Sequence, residues 1–542
     1  MNGLKILTFM TEETQVSKKR ILILASISGI ANSLLLVILN EAATVLQNGE
    51  MELQLFAQYF LTFLLFIFAQ RTAQKEAVTA VEYALQNVRV RLANKVRQAD
   101  LRTVESLGDI GSYSSLTQGA NTIAQSVMYM ITGVESLMVL IFANLYLLWL
   151  SPSSFMVAIV LIIITITLLV RHYQKTFDEL SEASQKEGQF FAQFTSMLSG
   201  FKQLKMSRKE SDEMFNHIET VATETSRLKS RSNVRLLEDI LLTNVTFYLL
   251  LMLVVFVLPT FITAHEENLF QVIATILFMM EPVYSISSAL PNVSKTNVAI
   301  SGLYRLESHL DSQSIVPNTA SRVNADAVES IQLNQVIFRY KNVKKKALFQ
   351  TGPLNLTINK GEVTFITGGN GSGKSTLLKL LTGLYPLDQG NIELNTQQLA
   401  AEDFQNYREL FSVVFNDFHL FKRLYGLNEN SEALINEWLA IMELEHQTAF
   451  LDGGFTNTDL STGQRKRLAF IAAIIQQRPI LILDELAADQ DAAFRKRFYQ
   501  EIIPKLKAEG KTIIAVTHDE MYFDVADHLL QMDAGKLSRY VQ

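Results

Sequence analysis

The sequence predicts two domains of different class, an α-helical domain that spans a membrane and an α/β domain that follows it. Long apolar runs are concentrated in residues 21–293, whereas residues 329–542 have the mixed polarity of a folded α/β domain. The chain has 542 residues, more than one compact core usually accommodates. We therefore expect a membrane domain over residues 1–310, a linker over 311–328 and an α/β domain over 329–542.

Charge and residue usage exclude two classes of chemistry. The net charge is −6, and a surface that binds nucleic acid is normally basic, so we expect no nucleic-acid partner. The chain contains no cysteine, which excludes disulfides and thiolate catalysis. The first residues have no basic region followed by an apolar segment, and we expect no removable signal peptide.

Six segments are long and apolar enough to cross a bilayer, each close to the ~20 residues that its hydrocarbon core requires. Four contain no charged residue, and the other two contain one glutamate each, Glu135 and Glu281. Buried helices of soluble proteins rarely stay apolar over such a length. The predicted spans are Ile21–Leu39, Leu53–Gln70, Met128–Leu150, Ser151–Val170, Ile240–Ala264 and Leu269–Val293.

The distribution of lysine and arginine predicts the orientation. Basic residues precede the first span and fill the connections after the second and fourth spans, while the alternate connections contain none. By the positive-inside rule both termini are cytoplasmic. The two basic connections, Tyr83–Asn121 and Arg171–Asp239, have helical spacing, and we expect them to continue the spans below the membrane. Turns near Gly108–Gly111 and Ser199–Gly200 are candidates for contact with the C-terminal domain.

The C-terminal half contains a glycine-rich loop, Gly368–Ser375, between a predicted strand, Val363–Thr367, and a predicted helix, Lys374–Leu381. In this context backbone N–H groups and the helix N-terminus bind phosphates. Lys374 then reaches the β- and γ-phosphates and Ser375 binds Mg²⁺. A chance glycine loop is the alternative, and the flanking strand and helix argue against it.

Two carboxylates end a second apolar strand, Ile480–Asp484. Beside a phosphate-binding loop, Asp484 is expected to hold Mg²⁺ and Glu485 to polarise the attacking water. Leu460–Gln464 precedes a helix whose N–H groups can face a second anion, although an ordinary capped helix has the same pattern. His518, after the strand Thr512–Val516, can sense a γ-phosphate.

Tyr340 ends a strand over Val336–Tyr340 and can either stack on adenine or simply occupy the strand edge. The motifs together resemble those of ATP-binding cassette (ABC) exporters, in which a six-span domain is fused to one α/β P-loop NTPase domain. The resemblance implies ATP and Mg²⁺ as cofactors, with Glu485 and His518 catalytic and Ser375, Asn416 and Asp484 at the metal. It assigns nucleotide binding to Tyr340, Gly368, Gly369, Asn370, Gly371, Ser372, Gly373, Lys374, Ser375, Thr376, Asn416, Ser461, Thr462, Gly463, Gln464, Asp484 and Asp491.

Three departures from the common ABC pattern narrow the resemblance. Asn416 stands where glutamine is usual. Thr462 replaces the first glycine of the ABC signature motif, which Leu460–Gln464 otherwise matches, and Leu486–Asp491 reads Leu-Ala-Ala-Asp-Gln-Asp. With Gly369-Asn370 and Phe415–Phe421, this last string is similar to that of bacterial half-transporters for cyclic peptides and peptide siderophores, of the pyoverdine and syringomycin exporter kind.

The resemblance implies a homodimer in the bacterial inner membrane that exports a cyclic or modified peptide by alternating access. A lipid or lipid-linked flippase is the alternative transporter, and an ABC ATPase that gates or regulates without translocation is a third possibility. Glu135 and Glu281 fall near the bilayer midplane, where a charge costs ~2.5–3.5 kcal/mol and normally faces a cavity or partner. We expect them to mark the cargo path; the alternative is a hydrogen bond between helices.

Overall fold

A computed structural model describes the chain except residues 1–7, 10–11, 15–16, 48–52, 108–110, 262–267, 312–327, 342–346, 428–430 and 541–542. The chain divides into two compact units. Unit 1 comprises Met1–Arg97 and Val104–Ser312, and unit 2 comprises Gln98–Thr103 and Gln313–Gln542. Most of the predicted linker at 311–328 lies outside the described residues, so the predicted domain bounds stay a prediction.

Long helices make up nearly all of unit 1. Six helices in the described part of the chain are long and apolar enough to cross a membrane, which confirms the six predicted spans. The helices that contain them are α1 (Lys18–Gln47), α2 (Leu53–Gln98), α4 (Gly111–Leu150), α5 (Pro152–Ser199), α7 (Arg208–Met252) and α9 (Leu269–Asp311); shorter helices are α3 (Leu101–Leu107), α6 (Phe201–Met206) and α8 (Leu258–Phe261), and a π-helical turn, Leu253–Val257, joins α7 to α8.

Several helices are much longer than the predicted spans. α2 has 46 residues, about 69 Å at ~1.5 Å per residue, whereas a hydrocarbon core is about 30 Å thick. α5 and α7 have 48 and 45 residues. The expected helical extensions beyond the spans are therefore present, and their polar sequence suits the aqueous side of the membrane.

One of the two predicted breaks is present, and the other falls largely on residues outside the described ones. α5 ends at Ser199, and Gly200 caps it, at the predicted position. The other extension already breaks at Ala99–Asp100, where the Asp100 carboxylate accepts a hydrogen bond from the Thr103 amide at 2.8 Å. The sequence analysis did not anticipate this additional break at an aspartate cap. The predicted turn at 108–111 falls between α3, which ends at Leu107, and α4, which begins at Gly111; residues 108–110 lie outside the described residues, so that turn stays a prediction.

Small residues allow close packing of the spans in unit 1. α9 packs along α4, α7 along α5, and α1 against α4. At the α1–α4 contact, a Cβ atom on Gly29 would lie 2.6 Å from the carbonyl oxygen of Glu135 and 2.7 Å from Cβ of Met138. These distances leave no room for a side chain at Gly29. Small residues at such positions allow the backbones of membrane helices to come into close contact.

Gly29→Ala should therefore lower the free energy of unfolding of the purified protein by ~1–3 kcal/mol, the usual range for an overpacked site, and with it the melting temperature. Gly188→Ala is the matched control, because no atom lies within 4 Å of the position its Cβ would occupy in α5. It should be neutral or stabilising by up to ~1 kcal/mol, since alanine has the higher helix propensity. Equal melting temperatures for the two variants in detergent would contradict the close contact.

Unit 2 is an α/β domain with two larger sheets. The first has the order β2-β1-β4-β5 and is antiparallel, the second has the order β12-β11-β3-β10-β9-β6, and β7-β8 is a two-stranded ribbon. The strands are β1 (Ser330–Lys341), β2 (Ala347–Asn359), β3 (Val363–Thr367), β4 (Gln389–Leu394), β5 (Gln397–Gln398), β6 (Phe411–Val414), β7 (Phe450–Leu451), β8 (Gly454–Phe455), β9 (Ile480–Asp484), β10 (Thr512–Val516), β11 (His528–Asp533) and β12 (Lys536–Arg539).

The six-stranded sheet has a hydrophobic core on each face. Its strands are parallel from β11 through β6, and every residue of β3, β9 and β10 is buried, as expected for a sheet covered on both sides. Alternate residues reach opposite cores, for example Phe365 in one and Ile366 in the other. The helices of the unit are α10 (Lys374–Leu381), α11 (Phe404–Arg408), α12 (Ser431–Ile441), α13 (Thr462–Ile474), α14 (Ala492–Arg497) and α15 (Ile503–Ala508).

Residues Gln98–Thr103, which run from the end of α2 into the start of α3, belong to unit 2. Leu101 packs on the core that contains Phe338, and the Arg102 guanidinium lies 5.4 Å from the centre of the Phe338 ring. A segment at the Asp100 break therefore packs on the α/β core within unit 2. The contact predicted near Gly108–Gly111 falls mostly on residues outside the described ones and stays a prediction.

Candidate functional site

Strand register brings the predicted site residues to one edge of the six-stranded sheet. Val516 of β10 pairs with Ile366 of β3 on one side and with Asp484 of β9 on the other. The chain then leaves all three strands at the same level. The glycine-rich loop, Glu485 and His518 therefore emerge side by side, where the carboxyl ends of parallel strands form a ligand crevice.

The glycine-rich loop joins β3 to α10, and its lysine is hydrogen-bonded to carbonyl groups of the same loop. The Lys374 ammonium, which is buried, donates to the carbonyl oxygens of Gly368 at 2.7 Å and Gly369 at 3.1 Å. Gly373 caps α10 in the left-handed region without a side chain, so the first amides of the helix have no side-chain partner. The buried Ser372 hydroxyl has no hydrogen-bond partner among the described residues. These donors fit a phosphate.

Asp484 and Ser375 form the predicted metal group. The Ser375 hydroxyl donates to Oδ2 of Asp484 at 3.0 Å. Burial raises the pKa of Asp484, and hydrogen bonds from Ser375 and from the backbone of Asn416 counteract this effect. A cation at these oxygens would favour the ionised carboxylate, so the donor set fits Mg²⁺. The Asn416 residue is exposed, and its backbone rather than its side chain contacts Asp484.

Glu485 lies between Lys374 and His518. Its Oε1 is 3.9 Å from Nζ of Lys374 and 3.4 Å from Nε2 of His518. The side chains of Glu485 and His518 are 24% and 47% exposed, so both can reach a bound molecule. A carboxylate so placed can accept a proton from water at the phosphate-binding loop, and a histidine beside it can contact the terminal phosphate.

Tyr340 is half-buried near the start of α10. Its hydroxyl lies 3.0 Å from Oγ1 of Thr376, and its ring packs edge-on against Phe338 and Tyr385. The partly exposed ring can stack on a base, and the strand-edge alternative is equally compatible with these contacts. Both interpretations stay open.

The Leu460–Gln464 string starts α13 as a capped helix. The Ser461 hydroxyl accepts from the Gln464 amide at 3.4 Å, and Oε1 of Gln464 accepts from the Ser461 amide at 3.1 Å. Ser461 and Thr462 are exposed. Among the described residues no hydrogen bond or ion pair joins this string to the glycine-rich loop of the same chain. The contacts of Gly463 are instead with the segment that follows Glu485, where its carbonyl accepts from Gln490 at 2.9 Å.

Asp491 caps α14 and is also linked to α13. Its carboxylate accepts from the Phe494 amide at 2.8 Å and pairs with Arg467 at 2.9 Å. The hydrogen bond from Phe494 is the main cause that lowers the pKa of Asp491. The sequence analysis did not single out Lys466 or Gln490, which also join α13 to this segment. The unusual Leu486–Asp491 string was the available signal.

The two membrane glutamates have different surroundings. Glu135 is buried, and it accepts hydrogen bonds from Ser28 at 2.8 Å and from Gln70 at 3.3 and 3.4 Å. These contacts join α1, α2 and α4 and match the alternative of a hydrogen bond between helices. Glu281 is exposed in the single chain and accepts from Ser285 at 2.6 Å. The structure does not bring the two into one hydrogen-bonded group among the described residues.

Comparison with known proteins identifies the family. A family model described as "ABC transporter" matches residues 351–488. The "ATP-binding protein SyrD" of Pseudomonas syringae pv. syringae is 30% identical over 465 residues, covering 83% of this chain and 82% of that protein. The chain belongs to the ABC transporter family. It is a half-transporter, with a helical membrane domain and an ATPase domain in one chain.

Other relatives of this transporter are named as lipid flippases. The "ATP-dependent lipid A-core flippase" of Polaromonas sp. strain JS666 is 31% identical over 49% of this chain and 45% of that protein. The flippase of Pasteurella multocida is 27% identical over 71% and 68%. A solved structure, "Structure of a bacterial Atm1-family ABC exporter with ATP bound", matches with a TM-score of 0.76 at 16% identity over 96% of this chain and 94% of that one. The transporter therefore has the exporter fold, binds ATP and is an ATPase coupled to transport across a membrane.

Glu485→Gln should stop turnover and preserve ATP binding. Loss of a general base typically costs ~10²–10⁴-fold in rate, and the amide leaves the contacts of Lys374 with its loop unchanged. Phosphate release and ATP binding by the purified transporter provide the two measurements. Glu402→Gln, at an exposed glutamate of the same unit, is the control. Turnover near that of wild type in Glu485→Gln would show that another group activates the water.

Proposed function

We propose that the transporter is a homodimer of the bacterial inner membrane that exports a cyclic or modified peptide with Mg²⁺-ATP. Two ATP molecules are sandwiched, each between the glycine-rich loop of one chain and Ser461 and Gly463 of its partner. Closure converts an inward-facing cavity to an outward-facing one, and hydrolysis at Glu485 resets it. Both termini lie on the cytoplasmic side, because lysine and arginine are concentrated before the first span and in the connections after the second and fourth spans.

The main support for a dimer is that the two proposed phosphate-binding segments, Gly368–Ser375 and Leu460–Gln464, are separate within one chain. The glycine-rich loop has its donors at one edge of the sheet, whereas Ser461 and Thr462 are exposed at the start of α13 and make no hydrogen bond with that loop in the described residues. A helix N-terminus favours an anion, and the nucleotide of a second chain would supply one.

Exposed aromatic residues on α5 and α7 also support a partner chain. Phe191 and Phe194 are each 43% exposed, on the part of α5 that extends beyond its span. A groove of about 610 Å³ between the two helices is lined by Phe190, Phe191 and Leu237. Apolar patches of this kind in water normally mark an interaction surface, and a second copy of the chain fits the proposed assembly.

Mixing chains tests the sandwich. Ser461→Arg places a large cation where the partner's nucleotide would contact the helix, so a heterodimer with wild type has one defective composite site. We expect ATPase activity below the value that the fraction of wild-type chain predicts. Ser538→Arg, at an exposed position of β12, is the matched control and should give simple proportionality. Proportionality in the Ser461→Arg mixtures as well would exclude shared sites.

Two observations favour a peptide-like cargo. The Leu486–Asp491 and Phe415–Phe421 strings resemble those of the cyclic-peptide and siderophore branch, and the similarity to SyrD extends over most of both chains. The flippase relatives favour the runner-up, a lipid or lipid-linked cargo. Buried polar groups at Glu135 suit neither class exclusively, so the cargo needs a direct test.

Transport assays separate the two cargo classes. The transporter is reconstituted in proteoliposomes, and ATPase stimulation and ATP-dependent uptake into inverted vesicles are measured with a pool of fluorescent cyclic peptides. A fluorescent phospholipid is assayed for flipping in parallel. Stimulation and uptake of peptide alone would support the proposal; lipid flipping alone would support the flippase. ATPase activity without movement of either probe would favour a gating or regulatory ATPase.

Glu135 and Glu281 are proposed to contribute carboxylates to the cargo path, up to four in the dimer. Replacing each by Gln removes a charge while retaining hydrogen-bonding capacity, so cargo-stimulated ATPase should fall several-fold while basal ATPase stays within ~2-fold. Glu41→Gln, exposed near the end of α1, is the control. Because Glu135 already bonds Ser28 and Gln70, a loss confined to Glu281→Gln would restrict the path to that helix. If cargo stimulates the ATPase activity of both variants as it does that of wild type, the two glutamates have a structural role and do not contribute to the cargo path.

A further inference from the structure

Lys466 makes a buried contact with the backbone of the proposed catalytic glutamate. The residue is only 3% exposed, and its ammonium donates to the carbonyl oxygen of Glu485 at 2.9 Å. The same ammonium lies 2.7 Å from Oδ2 of Asp489. Lysine is rarely buried unless it is paired, and here one carboxylate and one carbonyl share it. The signature helix α13 is thereby tied to the segment after β9.

The backbone of Glu485 is held in an uncommon conformation. Its φ is 53°, in the left-handed region that residues with a side chain seldom occupy. Its amide donates to the carbonyl oxygen of Val516 at 3.1 Å, and its carbonyl accepts from Lys466. The peptide groups on both sides of its Cα are therefore fixed, and the direction of its carboxylate toward His518 depends on them.

A second set of contacts keeps α13 in register with the same segment. Gln490 is buried; it donates to the carbonyl oxygen of Gly463 at 2.9 Å and accepts from Nε of Arg467 at 2.7 Å. A Cβ on Gly463 would lie 2.7 Å from the carbonyl oxygen of Asp489, so the two backbones are in direct contact. The start of α13 and residues 485–491 thus form one tightly packed structure.

We propose that Lys466 is a positioning residue for ATP hydrolysis, which sets the backbone of Glu485 and through it the direction of the carboxylate. The residue makes no described contact with the glycine-rich loop, so its effect falls on the chemical step and not on nucleotide binding. If the chains also form the proposed homodimer, on which this consequence rests, the helix that holds one ATP through Ser461 positions the glutamate for the other ATP.

Lys466→Met tests the role, because it retains the length of the side chain and removes the donor. We expect kcat for ATP to fall ~10–100-fold, since a displacement near 1 Å in a catalytic group can cost ~10²-fold, while KM for ATP stays within ~2-fold. Lys496→Met, at an exposed lysine of α14, is the matched control and should have the wild-type kcat. Both variants are assayed in the full-length transporter.

Asp489→Asn is the second variant, and it applies even if Lys466→Met does not fold. It leaves the hydrogen bond to Glu485 possible but removes the carboxylate that fixes the ammonium, so kcat should fall ~3–10-fold at an unchanged KM. Wild-type kcat in both variants, or a kcat that falls only in parallel with the melting temperature while KM rises, would overturn the proposal.

The homodimer is tested separately by ATP-induced cross-linking of Glu485→Gln chains. A lowered kcat in Lys466→Met without such cross-linking would sustain the role of Lys466 and refute the homodimer. Cross-linked dimers together with a wild-type kcat in Lys466→Met would refute the role of Lys466 alone.

Discussion

Hydrogen bonding between three buried parallel strands is the constraint on which the proposed ATP site depends. β3, β9 and β10 are buried on both faces, so their polar backbone groups must pair with each other. The resulting register places Ile366, Val516 and Asp484 at one level. A slip of one residue in β9 would turn Asp484 to the opposite face of the sheet and separate its carboxylate from Ser375. The geometry of the site thus follows from the pairing of apolar strands.

Desolvation is the corresponding constraint in the membrane unit. Backbone groups in a bilayer must be satisfied within a helix, which accounts for six long apolar helices. The same condition applies to side chains: Glu135 accepts from Ser28 and Gln70, and each of the three lies on a different helix. Gly29 opposite the Glu135 backbone lets α1 and α4 approach closely enough for that network.

The segment after β9 connects functions that the motifs assign separately. Glu485, Asp489 and Gln490 contact Lys466 or Gly463 on α13. The segment that begins with the proposed catalytic glutamate and the start of α13 therefore share one set of hydrogen bonds. This chain departs from the common ABC pattern within that segment. This departure is not an isolated surface change, because Asp489 meets the buried ammonium of Lys466 there.

The sequence by itself determined the six spans, the strand-loop-helix around Gly368–Ser375, the strand that ends at Asp484 and the strand that precedes His518, because apolar run length and local periodicity are properties of neighbouring residues. It did not anticipate the break at Ala99–Asp100, where an aspartate side chain caps the next helix. Only the tertiary structure decided that Glu135 bonds two other helices and that Lys466 reaches Glu485, since these pairs are separated by 107 and 65 residues for Glu135 and by 19 for Lys466. Long-range contacts depend on how packed elements align, and periodicity along the chain does not encode that alignment.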